Sequence, residues 1–157
     1  MGHNKERLAA HILPMSRAAD FAAACTEWNF ESAYISEDWD SCPCGQDIKE
    51  QCFIRNRITG KETYVGNVCV NRFMGINTGN LFEGLRRIAL NPNANPNTAV
   101  INYANQRGFI YGPVELKFLL GMRNTRKASA KQAAWRAKIN RRILGQIVVK
   151  RSVPPLP

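Results

Sequence analysis

Residues 42–73 read CPCGQDIKEQCFIRNRITGKETYVGNVCVNRF, and this segment contains the clearest pattern in the sequence. It holds four of the five cysteines of the chain, Cys42, Cys44, Cys52 and Cys69, in the spacing C-x-C-x7-C-x16-C. Thiols gathered over so short a stretch suit a metal site better than a disulfide framework. Because zinc prefers a closed tetrahedral set of four such ligands, the segment predicts one structural zinc ion bound by these cysteines.

Two β-strands, residues 51–58 and 61–68, are predicted on either side of a two-residue Thr-Gly turn. In that register Cys52 lies opposite Asn67. Cys69 then points to the same side of the sheet, because side chains alternate along a strand. We therefore expect Cys52 and Cys69 to be diagonal neighbours that face the knuckle formed by the first two cysteines.

The identity of the fourth ligand has an open alternative. A site of three cysteines without Cys52 can be completed by another residue. The chain has two histidines, His3 and His11, and either would have to fold back from the N-terminus to reach the site. The fifth cysteine, Cys25, lies in an alanine-rich stretch and is interpreted as a small buried hydrophobe.

This segment resembles a zinc-binding hallmark of small, poorly characterised proteins of bacteria and their phages. The matching positions are Cys42, Cys44, Gly45, Ile48, Ile54, Asn56, Thr59, Gly60, Val65, Gly66, Asn67, Cys69 and Phe73. The run SAKQAAWRAKINRRIL, residues 129–144, resembles a helix found after such modules. The resemblance implies zinc binding and a phage or mobile-element origin, but it implies no activity because the function of those proteins is largely unassigned.

The order of knuckle, hairpin and helix is similar to that of treble-clef zinc folds. The expected fold class is therefore α+β, with a zinc-nucleated, treble-clef-like hairpin packed against several α-helices. A usual treble clef takes two ligands from its final helix. Here Arg72 stands three residues after Cys69, so Cys52 has to substitute for the second of them.

Outside the hairpin, hydrophobic periodicity and capping residues predict mostly helices. The predicted organisation is an N-terminal helical segment (1–41), the zinc-binding hairpin (42–75) and a helical, basic C-terminal part (76–157), together forming one compact domain. Helices are expected over residues 4–13, 16–28, 81–90, 98–107, 113–122 and 129–144, and a short helix over residues 70–74.

Charge is distributed very unevenly along the chain. Residues 1–50 have four basic and nine acidic residues, a net charge of −5, whereas residues 51–157 have 18 basic and three acidic residues, a net charge of +15. A polyanion, most often nucleic acid, is the natural partner of so basic a region. A solvated basic surface is the alternative.

Two surfaces are candidates for nucleic-acid binding. One face of the hairpin has Arg55, Arg57 and Tyr64, which suit phosphate contact and base stacking. The C-terminal region has a run of cations with no acid between them, and its helix is expected to bury an apolar stripe and expose a basic one. The candidate residues there are Arg126, Lys127, Lys131, Lys138, Arg141 and Arg142.

The sequence thus favours a small zinc-containing, nucleic-acid-binding protein without catalysis. A four-cysteine site leaves no open position for water, and no P-loop, zinc-deaminase or nucleophile-elbow motif is present. One alternative is a phage effector that binds a host protein of the transcription, replication or defence machinery through its acidic, aromatic segment 27–50. Another is a nuclease or nucleotide-modifying enzyme, although a metal-dependent nuclease needs a cluster of carboxylates or histidines and residues 51–157 contain only Glu62, Glu83 and Glu115 as acids. No stretch predicts a membrane span or a secretory signal, so a cytoplasmic protein is expected.

Overall fold

The computed structural model describes residues 2–150, so Met1 and residues 151–157 of the predicted terminal segments lie outside the described residues. The chain divides into an N-terminal unit, Met1–Thr78, and a C-terminal unit, Gly79–Pro157. The elements are α1 (His3–Ile12), α2 (Phe21–Cys25), β1 (Trp28–Ser41), β2 (Asp47–Asn56), β3 (Glu62–Gly66), α3 (Asn67–Phe73), α4 (Leu81–Leu90), α5 (Thr98–Arg107), α6 (Pro113–Met122) and α7 (Ala130–Leu144).

The predicted α+β class is confirmed, with seven α-helices and one antiparallel sheet of order β1-β2-β3 among the described residues. The sheet and the first three helices belong to the N-terminal unit, and the other four helices belong to the C-terminal unit. Within residues 2–150, no helix combines the length and the apolar character needed to cross a lipid bilayer.

The hairpin forms, but its predicted register is wrong by two residues, since Cys52 pairs with Val65 rather than with Asn67. The cause is the buried side chain of Asn56, whose Oδ1 accepts hydrogen bonds from the backbone N–H groups of Ile58 and Thr59 at 2.8 and 3.0 Å. This side chain builds a longer turn, closed by a hydrogen bond from Asn56 N to Lys61 O. A shift of two residues preserves the predicted alternation, because the side-chain period of a strand is two.

The predicted helix over residues 16–28 is wrong except for its middle. Asp20 caps the short helix α2, and from Trp28 onward the chain runs as the edge strand β1, which pairs with β2. Glu27 lies between α2 and β1. Its carboxylate turns inward and accepts hydrogen bonds from the backbone N–H groups of Arg17 and Ala18, both at 2.8 Å.

Four helices form the C-terminal unit as the sequence predicts. Asn97 caps α5 through its side chain, and Gly108 ends that helix with a left-handed φ of 81°. Ser129 caps α7 in a capping box with Gln132. The buried apolar residues of this unit include Ile88, Ile101, Leu119, Ile139 and Ile143.

The buried carboxylate of Glu27 makes the stability of the N-terminal unit depend on pH. Hydrogen bonds from Arg17 N–H, from the Asn56 side chain and from Ala18 N–H lower the pKa of Glu27. A lowered pKa in the folded state means that the carboxylate stabilises the fold above its unfolded pKa of about 4.3, and that this contribution is lost as the pH falls.

We therefore expect the stability difference between the wild type and Glu27→Gln to be largest near pH 7 and to shrink below about pH 4.3. Urea unfolding of both proteins across this pH range measures the difference in their free energies of unfolding. Any metal loss in acid affects both proteins equally and therefore does not contribute to that difference. The exposed Glu37→Gln is the matched control. A difference for Glu27→Gln that stays constant down to pH 3 would contradict this interpretation.

Candidate metal centre

Three of the four predicted ligands come together in the N-terminal unit. The sulfur atoms of Cys42, Cys44 and Cys69 all lie within 4.8 Å of one another, and all three side chains are buried. Cys42 Sγ and Cys69 Sγ are 3.7 Å apart. Three buried thiols at these separations can hold a metal ion.

The knuckle is a tight turn immediately after β1. Cys42 N donates to Gln46 O, and Gly45 N donates to Cys42 O, each at 2.8 Å. Gly45 has a φ of +100°, a conformation that favours glycine. The turn directs backbone N–H groups at the sulfur of Cys42, which accepts from Cys44 N at 3.5 Å and, across the sheet, from Gly66 N at 3.2 Å.

Cys69 reaches the site from a helix, because the predicted strand over residues 61–68 ends two residues early and the short helix predicted over residues 70–74 begins three residues early. β3 ends at Gly66, and Cys69 lies in the first turn of α3. The expected diagonal pairing of Cys52 and Cys69 on the sheet is therefore wrong. The chain turns into the helix at this point, which carries the Cys69 thiol to the knuckle.

Cys52 lies outside the group of three mutually close sulfur atoms. It is fully buried in β2, between Ala33 of β1 and Val65 of β3 in the sheet register. Burial raises the pKa of Cys52 to about 12. A thiol in this state stays protonated at neutral pH unless a cation stabilises the thiolate.

The pKa of Cys42 is shifted in the opposite direction. The hydrogen bond from the Cys69 thiol lowers the pKa of Cys42 to about 5, and the N–H groups of Cys44 and Gly66 add to this effect against the cost of burial. The same hydrogen bond raises the pKa of Cys69, because loss of the Cys69 proton would remove the hydrogen bond to Cys42. The cluster therefore already stabilises negative charge, which is the form of cysteine that binds metals.

Two side chains of α1 lie beside the site: Arg7, which sequence reasoning did not assign to it, and His11, which was considered as an alternative fourth ligand. A Cβ at Gly45 would collide with the guanidinium of Arg7, so this cation stands directly against the knuckle. One turn further along α1, His11 Nε2 lies 2.7 Å from Thr63 Oγ1 of β3. Burial lowers the pKa of His11, which favours the neutral imidazole. Their i, i+4 spacing is the signal that places both on one face of α1.

On the hairpin face, the predicted nucleic-acid residues all have partners within the N-terminal unit. Arg55 forms an exposed ion pair with Glu62 at 2.7 Å, and the Arg57 guanidinium donates to Thr26 O at 3.4 Å. The Tyr64 hydroxyl lies 3.2 Å from an Asp40 carboxylate oxygen and donates to Ser41 O at 3.0 Å.

In the C-terminal unit, five of the six predicted nucleic-acid residues are exposed, namely Arg126, Lys127, Lys131, Lys138 and Arg141. The prediction that Arg142 faces solvent is wrong. Arg142 is buried, and its guanidinium donates to Glu115 at 2.8 and 3.3 Å and to Phe109 O at 3.0 Å. The buried carboxylate of Glu115, 27 residues earlier, draws it inward, because a buried acid requires a partner.

No protein-family model, curated protein sequence or solved structure matches this chain.

Proposed function

We propose that the metal is a single structural zinc ion. An all-sulfur donor set selects soft metals, and zinc is the one most often bound by cysteines in a purely structural role. In a tetrahedral site with Zn–S bonds of about 2.3 Å, neighbouring sulfurs are about 3.8 Å apart. The Cys42–Cys69 separation of 3.7 Å supports this assignment.

The proposed arrangement is treble-clef-like and belongs to the bacterial and phage class that the sequence resembles. The knuckle at Cys42–Gly45, the hairpin of β2 and β3, and a ligand in the first turn of α3 follow the order of that fold. Cys52 is the proposed fourth ligand, because it lies in β2 and pairs with Val65, next to the residue whose N–H contacts Cys42 Sγ. A fourth protein ligand closes the site to water, so the proposed role is structural and not catalytic.

The proposed function is the binding of nucleic acid, and the observation that supports it is the charge of the C-terminal unit. Its sequence has 14 basic residues and two acidic ones, a net charge of +12, whereas the N-terminal unit has eight basic and ten acidic residues, a net charge of −2. Glu115, one of the two acids, is buried against Arg142 and adds no negative charge to the surface. Such a surface attracts phosphates and releases their counterions.

The exposed face of α7 is the proposed contact surface. At about 100° per residue, Lys131, Lys138 and Arg141 fall within about 80° of one another around the helix. All three are exposed, while Ile139 and Ile143 are buried on another side. The hairpin is the weaker surface, because Arg55 is paired with Glu62 and Tyr64 lies beside Asp40.

The test is the triple variant Lys131→Gln/Lys138→Gln/Arg141→Gln, titrated with fluorescent DNA and RNA at several salt concentrations. Loss of three phosphate contacts is expected to lower affinity about 100-fold near 0.1 M salt and to reduce the slope of log K against log salt by about 2–3.

The matched control is Arg17→Gln/Lys61→Gln/Arg72→Gln, which removes three exposed cations from the N-terminal unit and leaves the same net charge. We expect it to bind like the wild type. If both triple variants bound nucleic acid equally weakly, the loss would reflect the net charge of the protein and not a contact surface on α7. If the wild type bound no nucleic acid at low salt, the proposed function would be refuted.

A second candidate function, binding of a host protein, is favoured by the acidic edge strand β1. Trp39 is 69 % exposed and Tyr34 is 45 % exposed, although both are large enough to be core residues. Exposed aromatic residues of this size are enriched in protein interfaces. A stoichiometric complex with one host protein that is lost in Trp39→Ala would support this function, and a complex that Trp39→Ala leaves intact would count against this surface.

A further inference from the structure

A buried carboxylate in the C-terminal unit fixes the positions of two aromatic residues. Glu115 Oε1 accepts from the backbone N–H of Tyr111 at 2.8 Å, and Glu115 Oε2 accepts from the indole N–H of Trp135 at 3.0 Å. The guanidinium of Arg142 binds the same carboxylate and lies 4.6 Å from the centre of the Tyr111 ring. Tyr111 and Trp135 are therefore held around one carboxyl group.

The two aromatic residues remain accessible from outside. Tyr111 is 60 % exposed although its ring is supported by Arg142. Trp135 is half-buried and stacks on the half-buried Phe118, with ring centroids 4.0 Å apart and an interplanar angle of 16°. An aromatic ring that is fixed on one side and open to solvent on the other offers a flat surface for another ring.

Exposed lysines lie close in sequence to two of these aromatic residues, Trp135 and Phe118. On α7, Lys131 lies one turn before Trp135 on the same side of the helix, and Lys138 lies within about 60° of it. On α6, Lys117 directly precedes Phe118. All three lysines are exposed, and residues 84–157 contain no acid other than the buried Glu115.

We propose that this aromatic group, Tyr111 with the Phe118–Trp135 pair, stacks the bases of a single-stranded nucleic acid whose backbone contacts the basic face of α7. The inference rests on the proposed function and specifies its ligand. Bases in a duplex are covered on both faces by their neighbours, whereas unpaired bases are free to stack on aromatic side chains. Aromatic rings that are held in place near lysines are therefore suited to bind a single-stranded nucleic acid.

The experiment compares Tyr111→Leu with the wild type on a single-stranded DNA of about 20 nucleotides, the matching RNA, and the same sequence as a duplex. Loss of one stacking ring is expected to weaken single-strand binding about tenfold. Duplex binding, which depends on phosphate contacts, is expected to stay unchanged.

Two further variants separate stacking from folding. Tyr111→Phe keeps the ring and is expected to bind single strands like the wild type. Tyr34→Leu removes an exposed tyrosine from the N-terminal unit and is expected to leave binding unchanged.

Equal loss with Tyr111→Leu on single strands and duplex, or no loss on either, would overturn the inference. If the Lys131/Lys138/Arg141 triple variant still lost binding in that case, the proposed function would survive. Absence of wild-type binding to every nucleic acid would overturn both.

Discussion

Substitution of Cys42 by Ser is expected to abolish metal binding and to unfold the sheet region of the N-terminal unit. Cys42 accepts two backbone hydrogen bonds and lies 3.7 Å from Cys69 Sγ, so it is the central thiolate of the cluster. Structural zinc contributes about 10–16 kcal/mol of apparent binding free energy in small domains. This is comparable with the whole stability of a typical domain, about 5–15 kcal/mol.

The measurements are the bound metal per chain and hydrogen exchange in peptides that cover β2, β3 and α3. Cys44→Ser and Cys69→Ser should behave like Cys42→Ser, and a strong chelator should reproduce the effect on the wild type. Cys25→Ala is the matched control, since Cys25 is a buried cysteine outside the cluster whose thiol makes one weak contact, with Phe73 O at 3.6 Å. It should keep one equivalent of metal.

Two variants decide the fourth ligand. Cys52→Ala should lower metal affinity strongly if Cys52 completes the site, and His11→Ala should do so if the histidine beside β3 completes it. If Cys42→Ser still bound one equivalent of metal and the amides of α3 stayed protected from exchange, the proposed structural metal site at Cys42 would be contradicted.

Glu115→Gln is expected to destabilise the C-terminal unit by about 3–5 kcal/mol, because it leaves the Arg142 guanidinium buried without a counter-charge. Burial by itself would raise the pKa of Glu115, but hydrogen bonds from Arg142, Tyr111 N–H and Trp135 outweigh it and hold the pKa below its usual value. The carboxylate is therefore charged at neutral pH, and its neutral isostere cannot replace that charge.

The double variant Glu115→Gln/Arg142→Met is expected to recover at least half of the loss, since replacing both members of a buried ion pair avoids an isolated charge. Hydrogen exchange in peptides from α6 and α7 measures the stability of the C-terminal unit in both variants. The control is Glu62→Gln, which breaks the exposed pair with Arg55 and should cost about 1 kcal/mol or less. A double variant no more stable than Glu115→Gln alone would show that the charge of Arg142 is not the cause.

Much of the secondary structure could be read from short stretches of sequence. The helices α4, α5, α6 and α7 begin and end within a residue or so of their predicted limits. Asn97 and Ser129 cap the first turns of α5 and α7 through hydrogen bonds to residues three positions on. Signals of this kind act between near neighbours, so the sequence contains both partners of each interaction side by side.

The alternation of buried and exposed side chains along the hairpin was predictable from the sequence, but the pairing register of its two strands was not. Phe53, Arg55 and Glu62 are exposed while Cys52, Ile54 and Val65 are buried, as the alternation requires. The two-residue shift arises because Asn56 is fixed by distant partners as well as by its own turn. Its amide donates to Glu27 Oε1 at 3.0 Å, and this carboxylate is 29 residues away. No turn rule based on residues 56–61 contains that partner.

The α+β class, the basic C-terminal region and a possible metal site among the cysteines of residues 42–69 were predictable from the sequence, although the predicted set of four cysteines included Cys52, which lies outside the close cluster. Clustered thiols, hydrophobic periodicity and charge are all visible in short windows of the chain. The tertiary structure was needed to show that Cys69 lies in the first turn of a helix and that Glu115 holds Arg142 away from the basic surface. Both outcomes depend on which groups are buried together. Burial joins residues that are far apart in sequence, and the cost of an unpaired buried group selects their partners.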